Sequence, residues 1–570
     1  MRQSGHIGKI LKEDPKDAQT RGHKLLVRAG YMRPVSPGVY IYMPFFLRTL
    51  HKISQIIREE MNAIGCEELL MASLQPMDLW VESGRWEREA GREGNMFTLK
   101  DRRGSTVCLG LGHEEVITDM VRKEVSSYKQ LPKKLYQIQT KLRDETHPRF
   151  GLLQAREFLM MDAYSFDVDE TEFSTSDQLM EEAYHAICKR IGLRVRCVDT
   201  DAKAMGESDC RDFMVQGDVG EPFVLCEWCD YAATQERGES RLEVSLQDEE
   251  QKPMEAVYGP GLIGVEPLAK FLGIPVWKTT KTLLYQADAK LVAVMVRGDC
   301  NVNETKVKQF LNCNEIALAT PEIIHELTGA EVGYAGPVGL PPKVTIIADY
   351  YTRDRVNFEC GANKKDYHNI NVNFGRDLPL PTFGDFKLAQ RGHLCPRCER
   401  GKLEEVCGIQ IGHMAKLGTY YSEKMNCTYL DKQGKSHPMV MGHGSICVSK
   451  AAAAVIEQNH DDSGILWPIP IAPFQVHLIA LNTENEEVSR EAEKLYRQLK
   501  DDNVDVLFDN RNLPAGEKFC DADLLGIPIR LTVSKRTCRG RKLELKLRDR
   551  AESELLVYDE ILKTIRTLCE

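Results

Sequence analysis

The run Leu135-Tyr136-Gln137-Ile138-Gln139-Thr140-Lys141-Leu142 enters Arg143-Asp144-Glu145 and returns as Arg156-Glu157-Phe158-Leu159-Met160-Met161-Asp162-Ala163-Tyr164, and no other stretch constrains this chain as strongly. Both arms are rich in aliphatic and aromatic residues and lack helix caps, so each reads as a strand. With Pro148 between them, the two form a sheet hairpin. Such a hairpin holds Arg143 and Glu145 on one rigid surface, where a planar guanidinium can meet phosphate oxygens and a carboxylate can meet an amino group. An Arg-x-Glu triplet alone is ordinary solvated charge, so its meaning rests on its surroundings.

A chain of 570 residues supports several domains, each with its own core. No apolar run is long enough to span a bilayer, and Met1-Arg2-Gln3-Ser4-Gly5-His6 lacks the apolar centre of a signal peptide. The expectation is a cytoplasmic protein without membrane partners. Its eighteen cysteines are dispersed, so reduced thiols are the default. A net charge of −10 excludes a wholesale nucleic-acid coat, leaving RNA to be met by local basic patches. One such patch is Lys535, Arg536, Arg539, Arg541, Lys542, Lys546, Arg548 and Arg550. Because Leu543, Leu545 and Leu547 alternate with charge there, a solvated strand beside a core and an RNA contact stand as equal readings.

The chain divides into residues 1–225, a connector at 226–256, an inserted block at 257–380, a return at 381–470 and a last domain at 471–570. In the first part Leu47, Leu50, Ile53, Ile57 and Met61 mark an apolar helical face ended by Gly65, with a strand Glu68 to Met71 after it. Pro468-Ile469-Pro470-Ile471-Ala472-Pro473 reads as an extended linker. Beyond it come a strand at Gln475 to Leu481, a helix at Val488 to Leu499 and a strand at Val504 to Phe508, the beginning of an α/β domain. Cys226-Glu227-Trp228-Cys229 and Cys395-Pro396-Arg397-Cys398 have knuckle spacing at either edge of the inserted block. If the two flanking strands are adjacent, Cys226, Cys229, Cys395 and Cys398 hold a structural zinc; paired free thiols or a redox disulfide are the other readings.

The hairpin resembles motif 2 of class II aminoacyl-tRNA synthetases, and the resemblance to the bacterial-type prolyl-tRNA synthetase family extends over nearly the whole chain. It rests on Gly30-Tyr31-Met32-Arg33, the run Leu79 to Trp86, Ser126 to Pro132, Arg143 to Phe166, and Ile471 to Val476. The resemblance implies an α+β class II catalytic domain, an antiparallel sheet flanked by helices, with an inserted α/β editing domain and a C-terminal α/β anticodon-binding domain. It implies a homodimer formed through the helix and strand near Gly65, with proline, ATP with magnesium, and tRNA(Pro) as partners. The implied reaction forms prolyl adenylate and pyrophosphate, then passes the prolyl group to the terminal ribose of the tRNA.

Carried over residue by residue, Arg143 clamps the α-phosphate and the proline carboxylate, and Glu145 and Phe158 hold adenine. Glu114 receives the proline imino group in a loop with Gly112, His413 lines the proline pocket, Lys450 neutralises the γ-phosphate and Gln410 faces ATP. Six departures accompany this resemblance. Gly112 stands where the family has threonine, Gln154 and Lys450 where it has arginine, Gln410 where it has glutamate, and Ser445 and Cys447 where it has glycines. They predict weaker stabilisation of the transferring phosphoryl charge, so restoring Lys450→Arg and Gln410→Glu together is expected to raise adenylate formation. Beside the ligase therefore stands a synthetase-derived paralogue with weak or no ligase activity, acting as an aminoacyl-tRNA hydrolase or an RNA-binding regulator.

In the inserted block the resemblance assigns Lys278, Gly333, Pro337 and His368 to an editing site. A proline pocket discriminates against the smaller alanine by only about 1–3 kcal/mol, so a second site is needed to hydrolyse alanyl-tRNA. The resemblance places the anticodon contacts at Asp509, Arg511, Lys518 and Asp521, with Pro514 a departure from the usual basic pattern.

Overall fold

The computed structural model describes residues 1–90, 94–202, 206–243 and 249–569, and the chain forms two compact units. The first comprises residues 1–197, 202–221 and 407–570, and the second 198–201 and 222–406.

In the first unit, helix α1 (Pro44–Ala63) has proline at its amino end and buries Phe46, Leu50, Ile53, Ile57 and Met61 at helical spacing. Leu47, expected on that face, remains 41% exposed. At 100° per residue it lies roughly 80° from the centre of the stripe. The strand expected at Glu68 to Met71 contracts to β1 (Glu67–Glu68); Leu69 still donates its N–H to Tyr136 O at 2.9 Å, but Leu70 is 74% exposed.

Next come α2 (Glu114–Glu124), the hairpin β2 (Lys133–Leu142) and β3 (Glu157–Asp167), and α3 (Glu170–Arg190), which Asp169 caps by accepting from the N–H groups of Thr171 and Glu172. β4 (Ser208–Cys226), β5 (Leu403–Gly418), β6 (Val440–Cys447) and α4 (Val448–Gln458) follow. The strand order is β4-β5-β6-β3-β2-β1; β6 is antiparallel to β5 and β3, β3 to β2, and β1 is parallel to β2.

One sheet face packs on α1, α3 and α4 in the main core. The pleat of β6 settles which side chains face away from it. A Cβ at Gly442 would lie 2.7 Å from the Phe173 ring, and one at Gly444 2.5 Å from the Tyr184 hydroxyl, both on α3. His443, Ser445 and Cys447 therefore turn to the opposite face. The expected antiparallel sheet flanked by helices is the observed architecture.

The C-terminal part contains β7 (Val476–Ala480), α5 (Glu486–Asp501), β8 (Val506–Asp509), β9 (Ile529–Val533), β10 (Lys542–Leu547) and β11 (Glu554–Val557). The order is β8-β7-β9-β10-β11, with β7 parallel to both neighbours, which bears out the βαβ expectation. Leu543 and Leu545 are buried, so β10 has one face in the core, while Lys535, Arg536 and Arg539 of the basic stretch lie on a short helix (Lys535–Arg539) ahead of it. The proline-rich linker is corrected. It forms a turn whose Ile471 and Ala472 are buried, whose carbonyls at Ala472 and Pro473 accept from Lys52 and Arg48, and which leads to a Phe474 ring packed on Phe45. Its apolar residues gain more from burial than prolines gain from extension.

The second unit has a mixed five-stranded sheet in the order Ile316–Leu318, Thr280–Ala287, Lys290–Arg297, Val344–Asp349, Thr382–Gly384. A separate antiparallel sheet joins Glu255–Tyr258, Tyr367–Val372 and Phe358–Gly361, so regular structure begins two residues ahead of the division read at 257.

Candidate functional site

A cavity of about 420 Å³ opens in the first unit, lined by the β2–β3 hairpin, the first turns of α2 and α4, and inward residues of β5 and β6. Arg143 stands where β2 leaves the sheet; its N–H donates to Arg156 O at 2.8 Å, one step beyond the Leu142–Glu157 pair, so backbone pairing continues beneath it. Its guanidinium carbon lies 5.3 Å from the centroid of the buried Phe158 ring, a cation–π separation. Glu145 accepts from the His147 N–H at 3.2 Å, and Gln154 accepts from Arg149 Nε at 2.9 Å. At the position where the resemblance expects arginine, this loop carries an amide beside a neighbouring cation.

Glu114 is the first residue of α2, and its carboxylate meets Arg85 Nη1 at 3.1 Å with His443 Nε2 at 3.8 Å. Arg85 also reaches Glu115 at 3.2 Å, and Ser83 donates to the same Glu115 oxygen. Burial opposes ionisation at both acids. At Glu114 the charges of Arg85 and His443 overcome it and the carboxyl falls below its usual range; at Glu115 burial wins, helped by the adjacent Glu114 charge, and the carboxyl is raised. A Cβ at residue 112 would lie 2.1 Å from Glu114 Oε2, so the glycine makes room for the acid to fold back toward Arg85. Gln75 holds the loop by donating to Gly112 O at 3.1 Å, and is itself held by the Trp80 indole at 2.8 Å.

On the β5 side, Gln410 Nε2 donates to Asp212 Oδ1 at 2.6 Å and His413 Nδ1 donates to the same oxygen at 2.7 Å. Asp212 is 1% exposed. Burial works against a charged His413, but Asp212, Cys210 and Glu207 outweigh it and push its pKa up to about 11. An acid thus remains beside position 410, supplied by β4. Lys450 lies in the first turn of α4, where the positive end of the helix dipole and the ammonium favour anions together. Ser445 and Cys447 line the cavity; burial raises the Cys447 thiol against the pull of Lys450.

In the second unit, Cys226 Sγ lies 3.7 Å from Cys398 Sγ and Cys229 Sγ 3.6 Å from Cys395 Sγ. All eighteen cysteines are free, so neither CxxC pair is a disulfide. Tetrahedral zinc with Zn–S bonds of about 2.3 Å requires sulfurs about 3.8 Å apart, which these separations match. The N–H groups of Trp228 and Cys229 point at Cys226 Sγ and that of Gly401 at Cys398 Sγ. A Cβ at Gly401 would lie 2.2 Å from Cys226 Sγ, so the second knuckle closes only with glycine there.

Lys278 is buried and donates to Glu249 at 2.6 Å. His368 is buried too, with Nδ1 3.0 Å from Glu359 and Nε2 3.2 Å from Leu262 O. The loop bearing exposed Gly333 and buried Pro337 is tied to the strand hairpin carrying His368 by Asn363, which accepts from Gly336 N–H and donates to Val338 O.

The four residues read as anticodon contacts form one internal network. Arg511 makes a two-pronged pair with Asp509 and reaches Asp521 at 2.9 Å, while Lys518 donates to Ala480 O at 2.7 Å. Asp509 and Lys518 are fully buried, so only Arg511 and Asp521 present exposed atoms.

Asp212, Glu207, Cys210, Glu115 and His443 were missed by sequence reasoning. Arg85 was legible only as part of the run Leu79 to Trp86. Glu115 and His443 lay inside the stretches read around Glu114 and Ser445 without being given a role, whereas Asp212, Glu207 and Cys210 had no motif, because chain segments far apart in sequence bring them to the cavity.

The chain matches the aminoacyl-tRNA editing domain family over residues 260–378 and the anticodon binding domain family over residues 475–568. It is 47% identical over 569 residues to the proline–tRNA ligase of Geobacter metallireducens, covering 100% of this chain and 99% of that one. To the proline–tRNA ligase of Halothermothrix orenii it is 45% identical over 571 residues, covering 100% of both. Among solved structures, prolyl-tRNA synthetase from Cryptosporidium parvum with L-proline and AMP aligns with a TM-score of 0.58 at 12% identity, over 98% of this chain and 77% of that one, a likeness of fold.

Proposed function

This chain belongs to the proline–tRNA ligase family, and we propose that Arg143, Phe158, Glu114, His413 and Lys450 are the groups with which it activates proline. The reaction joins the proline carboxylate to the α-phosphorus of ATP with departure of pyrophosphate, and the prolyl group then passes to a ribose hydroxyl of tRNA(Pro). The observation that carries the assignment is convergence. A guanidinium seated on an aromatic ring, an ionised glutamate held by Arg85, and a lysine at a helix amino end come from distant segments to one cavity of ligand size.

Arg143 would bridge the proline carboxylate and the α-phosphate, fixing the two reactants in line. Phe158 would offer its ring face to adenine and Glu145 an acceptor for its amino group. Glu114 would receive the imino group beside Gly112, with His413 lining the pocket. Lys450 with the α4 N–H groups would take the β- and γ-phosphate charge. Magnesium would enter with ATP, and Gln410, whose amide N–H is spent on Asp212, would offer its Oε1 as a hard oxygen donor to it. Full-length identity to ligases favours this reading over a paralogue that has lost ligation.

The editing domain would hydrolyse alanyl-tRNA(Pro), with His368, oriented by Glu359, positioning ester or water and Lys278 exchanging Glu249 for the tRNA terminus. A structural zinc at Cys226, Cys229, Cys395 and Cys398 is supported by their tetrahedral sulfur spacing. Exposed Leu70 and Leu74, close in sequence to the edge strand β1, support a homodimer. The cytoplasm is the compartment these substrates favour, and among the described residues no helix is long and apolar enough to cross a membrane.

Proline-dependent pyrophosphate exchange tests the assignment. Arg143→Ala should lower exchange by about 100-fold or more, as expected when a partner of the transition state is removed. Unchanged exchange would sink the role given to Arg143.

A further inference from the structure

On the β5 wall of the cavity, a carboxylate, a thiol and an imidazole meet without a role in the proposed chemistry to account for all three. Glu207, Cys210 and His413 each place one donor atom so that all lie within 4.8 Å of one another. His413 Nε2 is buried and makes no hydrogen bond among the described residues. It lies 3.6 Å from Glu207 Oε1, beyond hydrogen-bond reach. Two ligand atoms on a tetrahedral ion with bonds of 2.0–2.1 Å are separated by about 3.3 Å, so a small side-chain adjustment would place both on one metal.

The far side of the imidazole is already prepared. His413 Nδ1 donates to Asp212 at 2.7 Å, and Asp212 is fixed in turn by the Gln410 amide at 2.6 Å. A carboxylate behind a histidine sets the tautomer and aims the other nitrogen, the arrangement found around metal-bound histidines.

We propose that Glu207, Cys210 and His413 bind a zinc ion, separate from the four-cysteine site, with its fourth position open to the cavity. One thiolate, one imidazole and one carboxylate suit a borderline ion such as zinc, whereas magnesium and calcium take oxygen ligands. Three protein ligands leave one coordination position vacant. Glu207 and His413 line the cavity and Cys210 is buried, so that position faces the cavity and would take water or a nitrogen or oxygen of the bound substrate. Binding displaces the thiol proton of Cys210 and the proton on His413 Nε2, and no redox change is involved. A protonated His413 between Glu207 and Asp212, with the Cys210 thiol donating to Ser208 O at 3.6 Å, is the metal-free arrangement that the ion would replace.

The experiment is uptake of cobalt(II) by metal-free, full-length protein, read by metal analysis and by thiolate-to-cobalt absorption. Wild type should take up one more cobalt per chain than either Cys210→Ser or Glu207→Gln. In both variants the all-thiolate absorption of the four-cysteine site should persist, which also reports that the fold is intact. Equal cobalt content in wild type and in either folded variant overturns the proposal. Should Cys210→Ser fail to fold, Glu207→Gln alone decides it.

Discussion

Gln410→Glu introduces the residue that the resemblance expects at this position, and a reading of position 410 alone expects a gain in adenylate formation. The structure predicts a loss. Gln410 Nε2 now donates to Asp212 Oδ1 at 2.6 Å, and that oxygen also accepts from His413. A glutamate would exchange this attractive contact for two carboxylates about 3 Å apart beside a nearly fully buried acid. At an effective dielectric of about 20 their repulsion is roughly 5 kcal/mol as an upper limit, and it is relieved in part when the pair retains a shared proton. Losing the hydrogen bond to a charged partner adds about 1.5–3 kcal/mol. After relaxation, a loss of about 2–3 kcal/mol in transition-state stabilisation is expected, or roughly 30- to 150-fold in kcat/KM for pyrophosphate exchange. The double variant Gln410→Glu with Asp212→Asn restores one acid and one amide to the pair and should recover most of that loss. Higher exchange in Gln410→Glu alone, or a double variant worse than both singles, would refute the view that Asp212 replaces the missing glutamate.

Three other outcomes are expected. Lys278→Ala with His368→Ala should slow deacylation of preformed alanyl-tRNA while leaving proline activation nearly intact, and Arg143→Ala should do the reverse, both assayed on the same preparations. Cys398→Ala should remove one zinc per chain by elemental analysis of protein purified without chelator, and equal zinc content would retire the four-cysteine site. Burial lowers the pKa of His477 from 6.5 to about 4, so the unfolded chain binds a proton that the folded chain refuses between those values. Stability is therefore fully present above about pH 6.5 and is lost as pH falls toward 4, by up to about 3 kcal/mol from this group. His477→Gln should flatten that part of the urea-melt pH profile, and an unaltered slope would show that other groups set it.

Local pattern alone determined the hairpin around Arg143, the βαβ unit after Pro473, and the alternation of Leu543 and Leu545, because strand and helix periods are written in near neighbours. It misplaced Leu47, since a helix face depends on where the partner packs, and it took Pro468 to Pro473 for a free linker, since composition does not reveal that Ile471 and Ala472 will be buried. The CxxC pairs were legible as knuckles, yet the meeting of Cys229 with Cys395 spans 166 residues and required the fold. The same holds for Gln410 on Asp212, 198 residues away, and for Arg85 on Glu114, 29 away. Sequence decided which segments become strands and helices and which residue types are available for chemistry. Tertiary structure decided which acid faces which base, because strand neighbours are chosen by burial of whole faces, and electrostatic partners are set only once those faces are buried.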